Sequence, residues 1–242
     1  MKLSRLTYLL LLACALVLSQ TALAAESAPS FNWTGPYVGV HLGYGWGDGH
    51  TNFTPLPASL RANEPPLATL SPGPNGLVGG AQAGYNYQMG SLVVGIEADF
   101  SGSQISGHQN VPQAPPFALG VLKANENFHW FGTLRPRLGY TVTPTVLIYA
   151  TGGLAYGNVY YSGNDYFPTG GYPAFLSTTK VGWALGGGVE YALCRNWTIK
   201  GEYLYVDLGS ESAISGLNGP YQASYNWQTT ANIFQIGMNY KF

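Results

Sequence analysis

Hydrophobic and polar residues alternate along most of the chain, and the pattern is clearest at the C-terminus. The last segment places one apolar set opposite polar or small residues, and that set is Phe234, Ile236, Met238, Tyr240 and Phe242. Successive side chains of a strand point to opposite faces. The segment is therefore predicted to be a strand with one apolar, aromatic face.

Seven further segments show the same alternation, each with one apolar face that is predicted to point outward. They span residues 37–46, 77–88, 91–103, 125–142, 145–160, 179–192 and 197–208, and the terminal strand begins near Trp227. In the fourth segment the alternation puts Phe128 and Trp130 outward and His129 inward. The pattern thus predicts eight strands.

The connections between these strands are short and long in turn. Short turns are predicted at residues 89–90, 143–144 and 194–196. Longer linkers rich in Pro, Gly, Asn and Ser cover residues 47–76, 104–124, 161–178 and 209–226. We expect these linkers to be solvated loops that form contact surfaces.

The N-terminus has the features of an export signal. Lys2 and Arg5 precede an apolar run from Leu6 to Leu18, and residues 22–24 supply a small-x-small cleavage site. The predicted organisation is a cleaved signal peptide (1–24), a short linker (25–31) and one barrel domain (32–242). An alternative in which Cys14 is acylated as a lipoprotein stays open, although the apolar run continues beyond it.

Composition places the chain in a membrane rather than in water. Charged residues make up 9% of the chain, against about 25% in soluble domains. After the signal no run of eighteen apolar residues is present, so no transmembrane helix is predicted. Lipid admits only helices and closed barrels. The predicted fold is all-β: an eight-stranded antiparallel transmembrane up-and-down β-barrel with four long extracellular loops and short periplasmic turns.

Charge and cysteine content exclude several function classes. Without the signal, eight basic residues face eleven acidic ones, a net charge of −3, so no basic face for nucleic acid is expected. Only Cys194 and Cys14 are present, which predicts no internal disulfide in the mature chain. With no CxxC motif and four scattered histidines, no metal site is predicted.

Six short blocks carry a resemblance to a known family, lying at residues 32–39, 79–87, 95–99, 134–140, 149–157 and 237–242. In this order and spacing they resemble the alphaproteobacterial outer-membrane immunogenic proteins, which are porin-family relatives of the OmpA-like eight-stranded barrels. The resemblance covers residues 32 to 242. It implies an abundant, surface-exposed protein of the bacterial outer membrane, without an established enzymatic activity.

The interior of such a barrel is the candidate site. Seven charged side chains are predicted to point inward, four acids and three bases, namely Glu97, Asp99, Arg135, Arg137, Glu190, Lys200 and Glu202. An eight-stranded barrel is only wide enough for its side chains to fill. We expect a paired network that plugs the lumen, because buried charges persist only when paired. The alternative is a narrow channel in which these groups form a selectivity ring.

No catalytic residue and no cofactor is predicted. No serine follows a histidine at the spacing that barrel acyl hydrolases show. His50 and His108 are predicted in loops, and His41 and His129 in the lumen. Since some relatives are reported to bind haemin, haemin binding is a minor alternative suggested by the resemblance.

Two functions follow from the sequence. The first is a structural and interaction protein that stabilises the envelope, contacts outer-membrane lipid and lipopolysaccharide, and displays loops to a host or environmental ligand. The second is a small diffusion channel. In either case the terminal aromatic face, ending at Phe242, is expected to be the signal that the barrel assembly machinery reads during biogenesis.

Overall fold

Every regular element in the described part of the chain is a β-strand. The computed structural model describes residues 31–47, 50–56, 69–70, 73–112, 121–167, 170–214 and 222–242, so the predicted signal peptide and Cys14 lie outside the described residues. The strands are β1 (Gly35–Trp46), β2 (His50–Leu56), β3 (Thr69–Leu70), β4 (Asn75–Met89), β5 (Leu92–Ser103), β6 (Ser106–Pro112), β7 (Val121–Thr143), β8 (Val146–Phe167), β9 (Gly170–Ala192), β10 (Trp197–Ile214) and β11 (Gln222–Lys241).

Eight of these strands close into an antiparallel barrel. Each pairs with the next in the order β1, β4, β5, β7, β8, β9, β10 and β11, and β11 pairs back with β1. The closing register runs from Tyr37↔Lys241 to Trp46↔Asn232. Among the described residues there is no helix long and apolar enough to cross a membrane. The predicted eight-stranded up-and-down topology is confirmed.

The wall of the barrel continues beyond one end as a strand extension. β2 follows β1 and pairs with β11, and β6 follows β5 and pairs with β7. β7 and β8 are paired from Val121↔Tyr166 down to Thr143↔Val146. We call the end with the short turns the turn end, and the end that carries this extension the extension end.

The extension corrects the predicted loop boundaries. Residues 161–178 were predicted as a loop, but β8 runs to Phe167 and β9 starts at Gly170. Residues 104–124 and 209–226 likewise contain strand. Two strands already held together lengthen their ladder without closing a new loop, so each added pair has a low entropic cost. Gly, Asn and Ser are residues with a low intrinsic propensity for strands, but this propensity has a weaker effect than pairing with a strand of an existing sheet.

Exposed apolar side chains form a continuous band around the barrel, as predicted. Leu42, Ile96, Leu134, Leu138 and Leu185 are among them, and each is 43–65% exposed. Outward aromatic rings border the band at both ends. At the turn end they are Tyr87, Tyr140, Tyr191, Trp197, Tyr240 and Phe242, and at the extension end Tyr44, Trp46, Phe100, Trp130, Tyr156, Trp183, Tyr203 and Tyr205. An apolar band between two aromatic girdles is the lipid-facing surface of a transmembrane barrel.

One predicted pair of side chains is reversed. Phe128 is 3% exposed and packs in the barrel interior, whereas the exposed His129 stacks on Tyr160. The β7–β8 register shifts between Phe128 and Trp130, which marks a β-bulge. An extra residue in one strand inverts the alternation beyond it. Regular alternation alone therefore placed His129 in the lumen, and that prediction was wrong.

The outer face predicts where a charge is tolerated. Leu138 lies within the apolar band and Val142 lies on the same face of β7 beyond the turn-end girdle, and both are 57% exposed. Arg in place of Leu138 should destabilise the barrel more than Arg in place of Val142, because the cost of a lipid-facing Arg falls from about 2–4 kcal/mol at the middle of the band to about 0–1 kcal/mol at the interface. Urea unfolding in lipid vesicles measures both. Equal losses would show that the band does not face hydrocarbon.

Candidate functional site: the barrel lumen

The structure brings all seven inward charged side chains together. Glu97, Asp99, Arg135, Arg137, Glu190, Lys200 and Glu202 are each at most 5% exposed. They come from β5, β7, β9 and β10, where alternate positions point inward. The result is one connected cluster of charges inside the barrel rather than a ring around an open pore.

Arg135 is the centre of this cluster. Its Nη2 lies 3.0 Å from both Glu97 Oε1 and Asp99 Oδ2, and its Nη1 lies 3.0 Å from Glu202 Oε1. Its Nε donates a hydrogen bond to Thr133 Oγ1 at 2.7 Å. All three nitrogens of the guanidinium are therefore engaged, which is what a fully buried arginine requires.

Arg137 binds a different side of the lumen. Its Nη2 contacts Glu190 Oε2, and its Nη1 lies 3.8 Å from Glu97 Oε2. Its guanidinium carbon lies 3.7 Å from the centroid of the Tyr149 ring. Stacking on an aromatic ring adds a cation–π contact that strengthens where water is excluded. Arg137 therefore links β7 to β8 and β9.

Lys200 joins two of the carboxylates. Its Nζ lies 2.8 Å from Glu97 Oε1 and 3.4 Å from Glu202 Oε2. Each of these two carboxylates also accepts a hydrogen bond from a neutral group: Tyr37 Oη donates to Glu97 at 2.7 Å, and Gln235 Nε2 donates to Glu202 at 2.7 Å. The charges are thus paired with each other and also supplied with neutral hydrogen-bond donors.

A chain of neutral groups crosses the lumen from Glu190. Asn239 Nδ2 donates to Glu190 Oε1 at 2.9 Å, and Gln82 Nε2 donates to Asn239 Oδ1. Gln82 Oε1 lies 3.2 Å from His41 Nδ1, and His41 Nε2 lies 2.8 Å from Ser101 Oγ. Both ring nitrogens of His41 are therefore occupied by protein groups, so His41 offers no free nitrogen to a haem iron.

The turn end of the lumen is closed by an apolar cluster. Trp33 is 2% exposed and packs with Val93, Leu147, Tyr149 and Ala192. Its backbone N–H donates to Gln88 Oε1 at 2.9 Å, which holds the N-terminal segment against β4. The chain therefore enters the first strand across the mouth of the barrel.

The extension end is closed by a larger apolar cluster. Its members include Ile105, Phe128, Phe131, Val159, Leu204, Val206, Leu208, Trp227 and Ile233. Sequence reasoning missed this cluster, because it expected inward positions to be polar. A signal was present in the run Tyr203–Val206, where apolar residues follow one another, so that the inward face of the strand is apolar as well as the outward face.

A separate buried carboxyl lies above the extension-end girdle, outside the apolar band. Glu126 is 1% exposed, and its Oε1 has no hydrogen-bond partner among the described residues. Burial raises the pKa of Glu126 from 4.5 to about 7, against the opposing effects of a hydrogen bond from Thr229 and the charge of Lys180. Lys180 Nζ itself donates to Gly209 O at 2.9 Å. Glu126 therefore gains a proton near neutral pH.

The remaining predicted residues lie on the outer surface. Phe234, Ile236, Met238 and Phe242 are 43–66% exposed, and Tyr240 completes this face of β11. His108 and His129 are exposed, and the side chain of His50 lies outside the described set. Cys194 is a free, exposed thiol. Within the described residues, no group of three or more His, Cys, Asp or Glu side chains is arranged to hold a metal ion.

Comparison with known proteins agrees with this architecture. The profile of a family described as "Outer membrane protein beta-barrel domain" matches residues 10–242. The 31 kDa outer-membrane immunogenic protein of Brucella melitensis is 39% identical over 224 residues, covering 92% of this chain and 89% of that protein. The 22 kDa outer membrane protein of Rhizobium leguminosarum is 31% identical, covering 69% of this chain and 67% of that protein.

Among solved structures, the outer membrane protease OmpT of Escherichia coli has a TM-score of 0.51 and covers 89% of this chain and 99% of its own. At 11% identity this likeness shows a shared fold alone.

The pairing of Arg137 with Glu190 can be tested by a double-mutant cycle. Arg137→Met alone leaves Glu190 without its cation and should destabilise the barrel by about 3–5 kcal/mol. Arg137→Met combined with Glu190→Gln removes both charges and should cost less than the sum of the single changes. Urea unfolding of the refolded barrel measures each value, and Arg195→Met in an exposed turn is the control. Additive losses would mean that the two groups are not coupled.

Glu126 predicts a pH dependence of stability. Its pKa is raised in the fold, so the folded state holds the proton more tightly and protonation stabilises it. This contribution is present below about pH 4.5 and is lost as the pH rises through about 7, with a size of at most about 3 kcal/mol. The difference in unfolding free energy between the parent and Glu126→Gln should change across this window. A difference that stays constant with pH would contradict the assignment.

Proposed function

Since this chain belongs to the outer membrane protein beta-barrel domain family, we propose that it is a structural and interaction protein of the outer membrane, neither an enzyme nor an open channel. The observation that carries this proposal is the filled lumen. A charge cluster occupies its centre, and apolar clusters close both ends. A barrel without a passage stabilises the membrane by its wall and acts on its surroundings by its outer surface.

The relatives support an exposed position in the envelope. The Brucella relatives are named outer-membrane immunogenic proteins, which describes proteins that an immune system encounters. In outer-membrane barrels the short turns face the periplasm and the longer segments face outward. We therefore assign the strand extension to the cell exterior, where it displays a host-accessible or environment-accessible surface.

The filled lumen predicts the electrical behaviour of the protein. Purified, refolded barrel in planar bilayers should show little or no steady conductance. Arg135→Ala with Arg137→Ala leaves Glu97 and Asp99 short of cations in a dry interior, which is costly unless water enters. The double variant should therefore be less heat-resistant and leakier, whereas Arg195→Ala should behave as the parent. Steady conductance of the parent, with ion selectivity altered by the double change at unchanged stability, would favour the diffusion channel instead.

The outward face of β11 is proposed to be read by the barrel assembly machinery. Phe242 is 66% exposed and stacks edge-on against Tyr240 at 5.2 Å, and Tyr240 packs on Trp197 at 5.1 Å. Phe242→Ala should leave exported but protease-sensitive protein in the periplasm. Tyr87→Ala, at an exposed aromatic position of the turn-end girdle on β4 and therefore outside the β11 face, should assemble normally. Normal surface levels of Phe242→Ala would contradict this role.

A further inference from the structure

The outer face of the strand extension is polar along β6, β7 and β8. The outward side chains on these strands are Ser106, His108, Asn110, Lys123, Asn125, Asn127, His129, Asn158, Tyr160 and Ser162, and we call this set the polar face. Register aligns them, because His108 pairs with Asn125 and Asn125 pairs with Ser162. Asn125 Nδ2 donates to Ser162 Oγ at 2.9 Å. The polar face is therefore an ordered sheet surface.

The β-bulge in β7 brings this face down to the girdle. His129 points outward only because of the bulge, and its ring lies parallel to Tyr160 with centroids 6.3 Å apart. The next residue, Trp130, stacks on Phe100 at 5.5 Å in the extension-end girdle. Polar and aromatic groups thus meet at the level where lipid headgroups border the hydrocarbon.

The polar face is complementary to anions. Its described positions include a lysine and two histidines and no carboxylate. By contrast, the outward Asp207 lies on β10 opposite Trp183, and β9 separates it from the polar face. Asn, Ser and Tyr side chains can donate hydrogen bonds to phosphate oxygens. They can also donate hydrogen bonds to the hydroxyl groups of sugars and accept hydrogen bonds from them.

The apolar wall below the polar face contains a depression of about 440 Å³, lined by Val94, Pro136, Leu138, Ala150, Gly152 and Leu185. Small outward residues form its floor, because Gly152 has no side chain and Ala150 only a methyl group. The β7–β8 ladder is interrupted here: pairs run to Leu134↔Leu154 and resume at Arg137↔Thr151. Pro136 has no N–H to donate, which accounts for a gap in the ladder.

The depression and the polar face lie on the same strands. Pro136 is six residues from Trp130 along β7. At ~3.3 Å per residue and a tilt of about 45°, this is roughly 14 Å below the girdle, about half of an apolar band ~25 Å tall. An acyl chain attached to a headgroup at the girdle is therefore long enough to reach the depth of the depression.

From these two observations we propose that β6, β7, β8 and β9 form a binding site for one lipid of the outer leaflet, with a phosphorylated saccharide head on the polar face and an acyl chain in the depression. This is the chemistry of lipopolysaccharide. The proposal rests on the outward orientation of the extension in the proposed function. It does not depend on the state of the lumen, so conductance of the barrel would leave it standing.

The test measures lipid binding to the refolded full barrel in detergent by native mass spectrometry. The probes are rough lipopolysaccharide, dephosphorylated lipopolysaccharide and phosphatidylglycerol. We expect one lipopolysaccharide per barrel, with both other probes at least ~10-fold weaker, which corresponds to about 1.4 kcal/mol. Ala150→Leu fills the depression and should weaken lipopolysaccharide binding ~10-fold, equal to the same free energy.

Matched controls separate the site from general lipid contact. Ala83→Leu on β4 enlarges another exposed alanine of the wall and should leave binding unchanged. His129→Ser with Lys123→Ser removes the lysine and one of the two histidines of the polar face and should weaken binding of the phosphorylated probe, while Gln228→Ser, at an exposed position on β11, should not. The proposal would be overturned if Ala150→Leu and Ala83→Leu had equal effects, or if the wild-type barrel bound all three lipid probes equally well.

Discussion

The rest of the structure depends on complete pairing of the charges inside a narrow barrel. Arg135 depends most on this pairing, because its side chain is fully buried and forms ion pairs with carboxylates from both β5 and β10. The space comes from small inward residues. A side chain at Gly237 would approach Lys200 Cε to 3.2 Å and Gln82 Nε2 to 3.1 Å. Glycine at this position therefore gives Lys200 the room to reach Glu97 and Glu202, and loss of one partner leaves the others as uncompensated charges.

A filled interior moves the functional surface to the outside of the barrel. The wall has an apolar band, two girdles and an extension, and the changes of register occur where the band ends. β7 bulges at His129, β10 shifts between Asp207 and Ser210, and β5 breaks before β6. Bulges at the rim of a barrel redirect side chains. The bulge in β7 turns Phe128 inward, where it seals the lumen, and His129 outward toward the headgroup level. One backbone irregularity therefore determines a side chain on each face of the strand.

Strand number, topology and facing were predictable from the sequence, because alternation with a period of two depends only on local residue order. The inward positions of Glu97, Arg135 and Lys200 follow from the same parity. Their mutual contacts do not, since they require the register between strands. The bulge at His129 was not predictable, because one inserted residue has no compositional signal. The extension was also missed: glycine- and asparagine-rich segments are paired there by strands that are already aligned.

The contacts across the lumen join residues that are very far apart in the chain. Lys200 and Glu97 are separated by 103 positions, Arg137 and Tyr37 by 100, and Gln82 and Asn239 by 157. Such contacts carry a large loop-closure entropy and form late. An open sheet of the same strands would hold these charges in water, without partners from the opposite wall. Arg135 can pair with Glu97 and Asp99 on the adjacent β5 even in an open sheet, but its contact with Glu202 and the contact of Lys200 with Glu97 join distant strands of the wall. Pairing of β1 with β11 brings these strands face to face, so closure of the barrel completes the cluster.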